Sequence, residues 1–270
     1  MALSEPPLPI AGASETTVRR LAFIRYLHRI GVQQSGMAEP LNGAAILNFH
    51  DSVELFLALT AELLDAGGGP KTEFMEYFNL IAAKLPPSGL AHRDSMLLLN
   101  QSRVGLKHRG EEVSPRVVGR HRERVDLFFE DNCRRAYGVP LEDVSLAALV
   151  RSTKAGAALR AAELAWAEED LARALEQLAV AFAIGLSDQA MSADTYAPPH
   201  FPFLHHSEND EIRDVAAGVQ SLVYQVSELR TELVLLRNGI DTHRLEFFRN
   251  VTPHVAFTAG GTLAVGRRRG

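Results

Sequence analysis

An arginine and a histidine with four residues between them, Arg103 and His108, lie in the run Leu99-Asn100-Gln101-Ser102-Arg103-Val104-Gly105-Leu106-Lys107-His108-Arg109-Gly110. An imidazole exchanges a proton near neutral pH, and a planar guanidinium fork suits a phosphate. Together they could form the centre of a nuclease site, with Lys107 and Arg109 holding neighbouring phosphates. The same residues also read as the last turns of a helix. Gly110 suits the left-handed residue just past a helix end, and Lys107, His108 and Arg109 meet the carbonyl end of the helix dipole. Spacing alone does not choose between these readings, because Arg116/His121 and Arg237/His243 are similarly separated. The first of these falls in the charged face Arg120-His121-Arg122-Glu123-Arg124, read as solvated helix and as the best local basic stripe for an RNA backbone. The second spans Asn238-Gly239, a helix stop.

The elements that must carry these residues are helical. Apolar residues recur at one-face spacing from Ser14, a plausible N-cap, through Val18, Leu21, Ile24, Leu27 and Ile30. A Gly, Ser and Pro cluster from Gly31 to Pro40 is expected to break that helix. The next helix, 41–65, is apolar almost all round and should be central. It carries Asn48, His50, Asp51 and Glu54, polar groups that a buried helix normally avoids. Asp51 and Glu54 lie one turn apart, and a buried carboxylate needs a partner; Arg103 is the expected partner of Glu54, with a structural ion pair to another Arg as the alternative. After the turn Gly67-Gly68-Gly69-Pro70, helices are expected over 71–84 and 91–109. Another begins at Ser114-Pro115, an N-cap followed by proline at the first helical position, and closes at Gly138. Gly138-Val139-Pro140 marks a boundary. The expected organisation is a flexible 1–13, a helical domain 14–138, a second helical domain 139–250 and a tail 251–270.

In the second half, helices expected over 144–166 and 171–186 flank Glu168-Glu169-Asp170 and read as an Ala-rich antiparallel hairpin. Residues 187–209 form an irregular connector. Ile212, Val215, Val219, Leu222, Val226, Leu229, Leu233 and Leu236 then step alternately by three and four residues. That pattern fits either a dimeric coiled coil or a long helix laid on its own bundle, the latter preferred. The tail beyond Pro253, with Gly260-Gly261 between short apolar runs, could form a hairpin. The fold class is all-α, a helical bundle in two halves.

Composition bounds the chemistry. The chain has 270 residues, 46% hydrophobic and 23% charged, with a formal net charge of −5. A sequence-blind basic coat for nucleic acid is thereby excluded, so any RNA contact must be local. Cys133 is the single cysteine, which rules out an intramolecular disulfide and disfavours a Cys-based zinc site. His200, His205, His206 and Glu208 are metal ligands by type, but a Pro-rich linker lacks a fixed scaffold. Neither metal nor cofactor is expected. There is no Gly-x-x-x-x-Gly-Lys loop, no Gly-x-Gly-x-x-Gly and no His-Glu-x-x-His, nor a serine elbow. With no signal-peptide pattern and no apolar run of spanning length, a cytoplasmic protein without membrane contact is expected.

The run Leu98 through Gly110, following a buried helix that bears Glu54, resembles the HEPN superfamily of all-helical domains. Its signature is Arg, four to six residues, then His, and defence-associated members often end in Lys-His-x-Gly. The resemblance covers residues 14–138. It implies metal-independent RNA cleavage through attack of the ribose 2′-hydroxyl on the adjacent phosphate, in a toxin or anti-phage setting. It further implies that Arg103 stabilises charge, that His108 is the acid/base, and that two copies build the cleft, with a protein partner such as an antitoxin as a further expectation. The family usually carries Asn, Asp or His directly after the Arg, where this chain has Val104, with Asn100 one turn earlier as a substitute. The alternative is therefore a catalytically inactive helical module for dimerisation or protein interaction. Geometry poses one condition. Positions five apart on an ideal helix differ by about 140° around the axis, so these side chains meet only through the reach of Arg103, distortion near Gly105 or completion by a second subunit.

Overall fold

The computed structural model describes residues 10–85, 89–192, 210–237, 239–257 and 263–266. It is an all-α helical bundle, divided into two compact units, Met1–Leu149 and Val150–Gly270. None of the described helices is long and apolar enough to cross a membrane.

The first unit is built from α1 (Glu15–Ser35), α2 (Ala45–Leu63), α3 (Glu76–Ala82), α4 (Arg93–Val104) and α5 (Pro115–Tyr137). Ser14 caps α1, its hydroxyl accepting from the Thr17 amide at 3.1 Å. The helix does not stop at Gly31 as the sequence suggested; it runs on to Ser35. Gly31 is there for packing, because a Cβ at that position would sit 2.6 Å from the Phe49 ring. Its absence lets α1 and α2 approach closely.

Helix α2 is central, as its all-round apolarity requires: Phe49, Val53, Phe56 and Leu57 are fully buried. Phe56 lies edge-on to Phe128 and Phe129 of α5 at 5.5 and 5.6 Å, and to Tyr137 at 5.6 Å. Such edge-to-face contacts match the positive ring edge to a negative face. A polar tie reinforces them, Thr60 Oγ1 lying 3.0 Å from the Tyr137 hydroxyl. Burial pushes the Tyr137 phenol well above its ordinary range.

The first unit continues past Gly138-Val139-Pro140. Val144 and Leu141 are buried in its core, and Arg25 Nη1 donates to the Val144 carbonyl at 2.6 Å. The short 3₁₀ turns 141–143 and 146–149 therefore belong to the first unit, and helix resumes only at Thr153.

In the second unit, α6 (Thr153–Ala167) and α7 (Leu171–Ser192) form the Ala-rich hairpin around 168–170. Ala155, Ala158, Ala162 and Ala165 of α6 and Ala174, Ala179 and Ala181 of α7 are buried, small side chains that let two backbones pack tightly. Helices α8 (Asp210–Arg237) and α9 (Thr242–Val251) follow. Asp241 caps α9 by accepting from His243 and Arg244 amides, and Phe248 meets Phe182 of α7 in a tilted ring contact, centroids 5.3 Å apart. A short antiparallel pair, β1 (Val255–Phe257) with β2 (Leu263–Val265), realises the tail hairpin, Val255 opposite Val265.

Candidate functional site

Helix α4 is fixed against α5 at both ends. At its start, Asn132 Oδ1 accepts from the Ala91 amide at 2.8 Å, while its Nδ2 donates to the Ala91 and Phe128 carbonyls. Near its end, Ser102 Oγ lies 2.9 Å from His121 Nε2. A third tie reaches α2, where His50 Nε2 is 3.1 Å from Asn100 Oδ1. The turn carrying Asn100, Ser102 and Arg103 is thus held by two neighbouring helices.

After Val104 the backbone changes pitch. Residues Gly105–Arg109 form a π-helical turn, in which amides bond to carbonyls five residues back. Gly110 closes it in the left-handed region at φ 65, its amide bonding to the Gly105 carbonyl. Widening the helix this way brings residues five apart towards one line, where a regular α-helix would leave them about 140° apart. Arg103 Nη1 accordingly lies 3.4 Å from His108 Nε2. That distance is long for a hydrogen bond. With the guanidinium as donor, Nε2 is the acceptor and the ring proton sits on Nδ1.

Arg103 is half-buried and His108 exposed. Arg103 also lines a cleft of about 320 Å³ together with His50, Glu54, Lys71, Phe74 and Asn100. Two buried polar atoms of lining residues have no hydrogen-bond partner, Arg103 Nε and His50 Nδ1.

His50 is the residue that sequence reasoning noticed without assigning a role. It is 2% exposed, stacks on Phe74 at 4.5 Å and turns Nδ1 towards Asp51 at 3.6 Å and Glu54 at 3.7 Å. The Glu54 carboxylate therefore faces the His50 ring and makes no ion pair with Arg103, its expected partner. Its signal in the sequence was a histidine on the apolar face of a central helix, one residue before Asp51 and four before Glu54. His50, Asp51 and Glu54 are also the described group whose geometry could hold a cation, with ligand atoms within 4.8 Å of one another. The donor set is one imidazole nitrogen and two half-exposed carboxylates from a single helix.

The remaining expected site residues fall around this centre. Lys107 and Arg109 are exposed on the π-turn, and Arg109 is engaged by Glu111, Nη2 to Oε2 at 3.2 Å. Hydrogen bonding to Arg109 holds the Glu111 carboxyl below its usual range. Arg116/His121 is not a solvated pair: His121 is buried behind Ser102 with 3% exposure. Burial, then Arg124 and Arg120, lower its pKa to about 4, so it is neutral at physiological pH. His200, His205, His206, Glu208 and Asn238 lie outside the described residues.

No protein-family model, curated protein or solved structure matches this chain. Fold and site together define a helical bundle whose most exposed histidine of the α4 region meets a half-buried arginine across a π-turn.

Proposed function

We propose that this chain is a metal-independent endoribonuclease of HEPN type, acting as a homodimer in the cytoplasm within a toxin or anti-phage defence system. The observation that carries this reading is the 3.4 Å approach of Arg103 Nη1 to His108 Nε2 beside a polar cleft. An RNA phosphodiester seated there meets both groups. His108 accepts the proton of the ribose 2′-hydroxyl as its oxygen attacks phosphorus. The P–O5′ bond breaks, leaving a 2′,3′-cyclic phosphate, and the departing 5′-oxygen takes up the proton that His108 accepted, so that the imidazole is returned to its starting state. Arg103 stabilises the charge that builds on the phosphorane oxygens. His50 and Asn100 are positioning residues, holding the α4 turn that carries Arg103, and Asp51 and Glu54 set the electrostatics behind them. Lys107 adds positive charge for a neighbouring phosphate, and Arg109 does so once released from Glu111.

The test is incubation of purified protein with an unstructured RNA in EDTA, beside Arg103→Ala and His108→Ala. Cleavage by the parent and its loss in both variants is the expected result. Cleavage that survives both substitutions rejects the assigned centre. A second reading, an inactive module for dimerisation or binding a protein such as an antitoxin, is favoured by Val104 after Arg103 and by the exposed apolar stripe of α8. No cleavage of any RNA, with the fold intact, would support it.

A further inference from the structure

Helix α8 turns its apolar stripe outward. Val215, Val219, Leu222, Val226, Leu229, Leu233 and Leu236 are all exposed, from 39% at Val219 to 66% at Val215. The helix touches its own unit along a different edge, where Leu235 is 3% exposed. Packing in cis, the blander reading of the periodicity, therefore leaves the stripe uncovered by any described element of that unit. Seven exposed aliphatic side chains in one line are not scattered surface residues but a continuous face.

We infer that α8 pairs with α8 of a second copy of this chain as a parallel, in-register, two-stranded coiled coil. Three features choose the occupant. First, the steps of three and four persist without a break over the four heptads of 210–237, the length of the helix. A generic amphipathic helix drifts at 3.6 residues per turn, whereas this repeat keeps the strict 3.5 of a supercoil.

Second, the residue types fit that partner. With Ile212 at a, the sequence places Ile212, Val219, Val226 and Leu233 at a, and Val215, Leu222, Leu229 and Leu236 at d. Three of four a positions are β-branched and three of four d positions are leucine, the distribution that favours parallel dimers over higher oligomers. Third, the flanking charges favour parallel over antiparallel pairing. In a parallel pair, g of one heptad opposes e of the partner's next heptad; by sequence these are Glu232 and Arg237, opposite in charge. An antiparallel arrangement with the same a and d residues in contact would set Glu232 against Gly218 and lose that attraction. The area is of the right order as well: eight a and d side chains, each hiding roughly 60–100 Å², come to about 480–800 Å², against ~800 Å² per partner of a standard stable interface.

This pairing stands apart from the nuclease reading, because its test reads mass and not cleavage. Sedimentation equilibrium of the full chain at tens of micromolar is expected to give about twice the 29.6 kDa chain mass. The double substitution Leu222→Lys with Leu229→Lys is expected to give the monomer at unchanged far-UV circular dichroism, since both side chains are already exposed in the single chain. Tyr224→Lys, at an outward f position and 68% exposed, is the control and keeps the dimer. Leu236→Cys under mild oxidation is expected to form a disulfide-linked dimer, which an antiparallel pair cannot do and in which buried Cys133 takes no part. A monomeric parent chain, or a dimer that survives the two lysines, overturns the proposal. A dimer broken by the lysines but uncrosslinked through position 236 overturns its parallel register.

Discussion

Arg103/His108 and Arg116/His121 are the same two residue types at the same spacing, and the fold treats them in opposite ways. The second pair lies in regular α-helix, so five positions carry its members to different faces. Arg116 is exposed and His121 is buried against Ser102. The first pair straddles the change from α to π pitch, which turns its members towards each other at 3.4 Å. What distinguishes a candidate site from a structural histidine here is the backbone between the two residues. The second pair also serves the first, because His121 anchors the turn that bears Arg103.

The largest effect that would break this contrast concerns cleavage. Arg103→Ala and His108→Ala are each expected to lower RNA cleavage by at least about 10²-fold, the scale of a lost charge stabiliser or acid/base. Arg116→Ala is expected to leave the rate within about twofold. Initial rates on a labelled RNA read both. Equal losses from all three would mean that basic charge on this face, and not the π-turn pair, governs the reaction.

How far these features were legible follows from the same contrast. Amphipathic periodicity and capping residues are local, so Ser14, Ser114-Pro115 and Gly110 marked helix ends correctly. Gly31 misled because its role is to admit the Phe49 ring of another helix, and no local rule reports a tertiary approach. The need for distortion near Gly105 followed from helix geometry, yet which of three remedies applied did not. His121 read as solvated because charged neighbours surround it in sequence; one helical face turned inward is enough to bury it. His50 was visible only as a polar residue out of place, and its partners Asn100 and Phe74 come from other segments.

A smaller effect tests the support behind Arg103. His50→Ala removes a buried ring that stacks on Phe74 and bonds Asn100. It is expected to cost about 2–3 kcal/mol through the cavity and the unpaired amide, read by urea denaturation. Asn100→Ala is expected to cost about 1 kcal/mol and to lower kcat more than it raises KM. A fall in stability without any fall in cleavage would make His50 a core residue and nothing more.

The buried histidine of the second pair predicts a pH dependence. In the folded chain its pKa is about 4, against 6.5 for an unperturbed imidazole. Below pH 6.5 the unfolded chain therefore binds a proton that the folded chain refuses. Stability present above that pH is lost as pH falls towards 4, by up to about 3 kcal/mol for this one group. His121→Gln, which keeps a polar contact for Ser102, is expected to flatten that part of the stability profile between pH 6.5 and 4. An unchanged slope would place the titration elsewhere.

The smallest effect asks what holds the π-turn itself. Gly105 has right-handed backbone angles, φ −58 and ψ −53, so alanine suits its conformation. An added Cβ would, however, strike the Glu111 carboxylate, which Arg109 engages. Because that carboxylate ends a flexible side chain, it can swing aside at the expense of an exposed ion pair. Helix propensity then favours alanine by about 0.5–1 kcal/mol, so Gly105→Ala is expected to raise Tm slightly. Cleavage should stay within about twofold, because the approach of Arg103 to His108 depends on the backbone bonds spanning five residues and not on the Arg109–Glu111 contact. If Gly105→Ala instead abolished cleavage as Arg103→Ala does, the side-chain contact would be what maintains the pitch, and Glu111→Ala should then reproduce the loss.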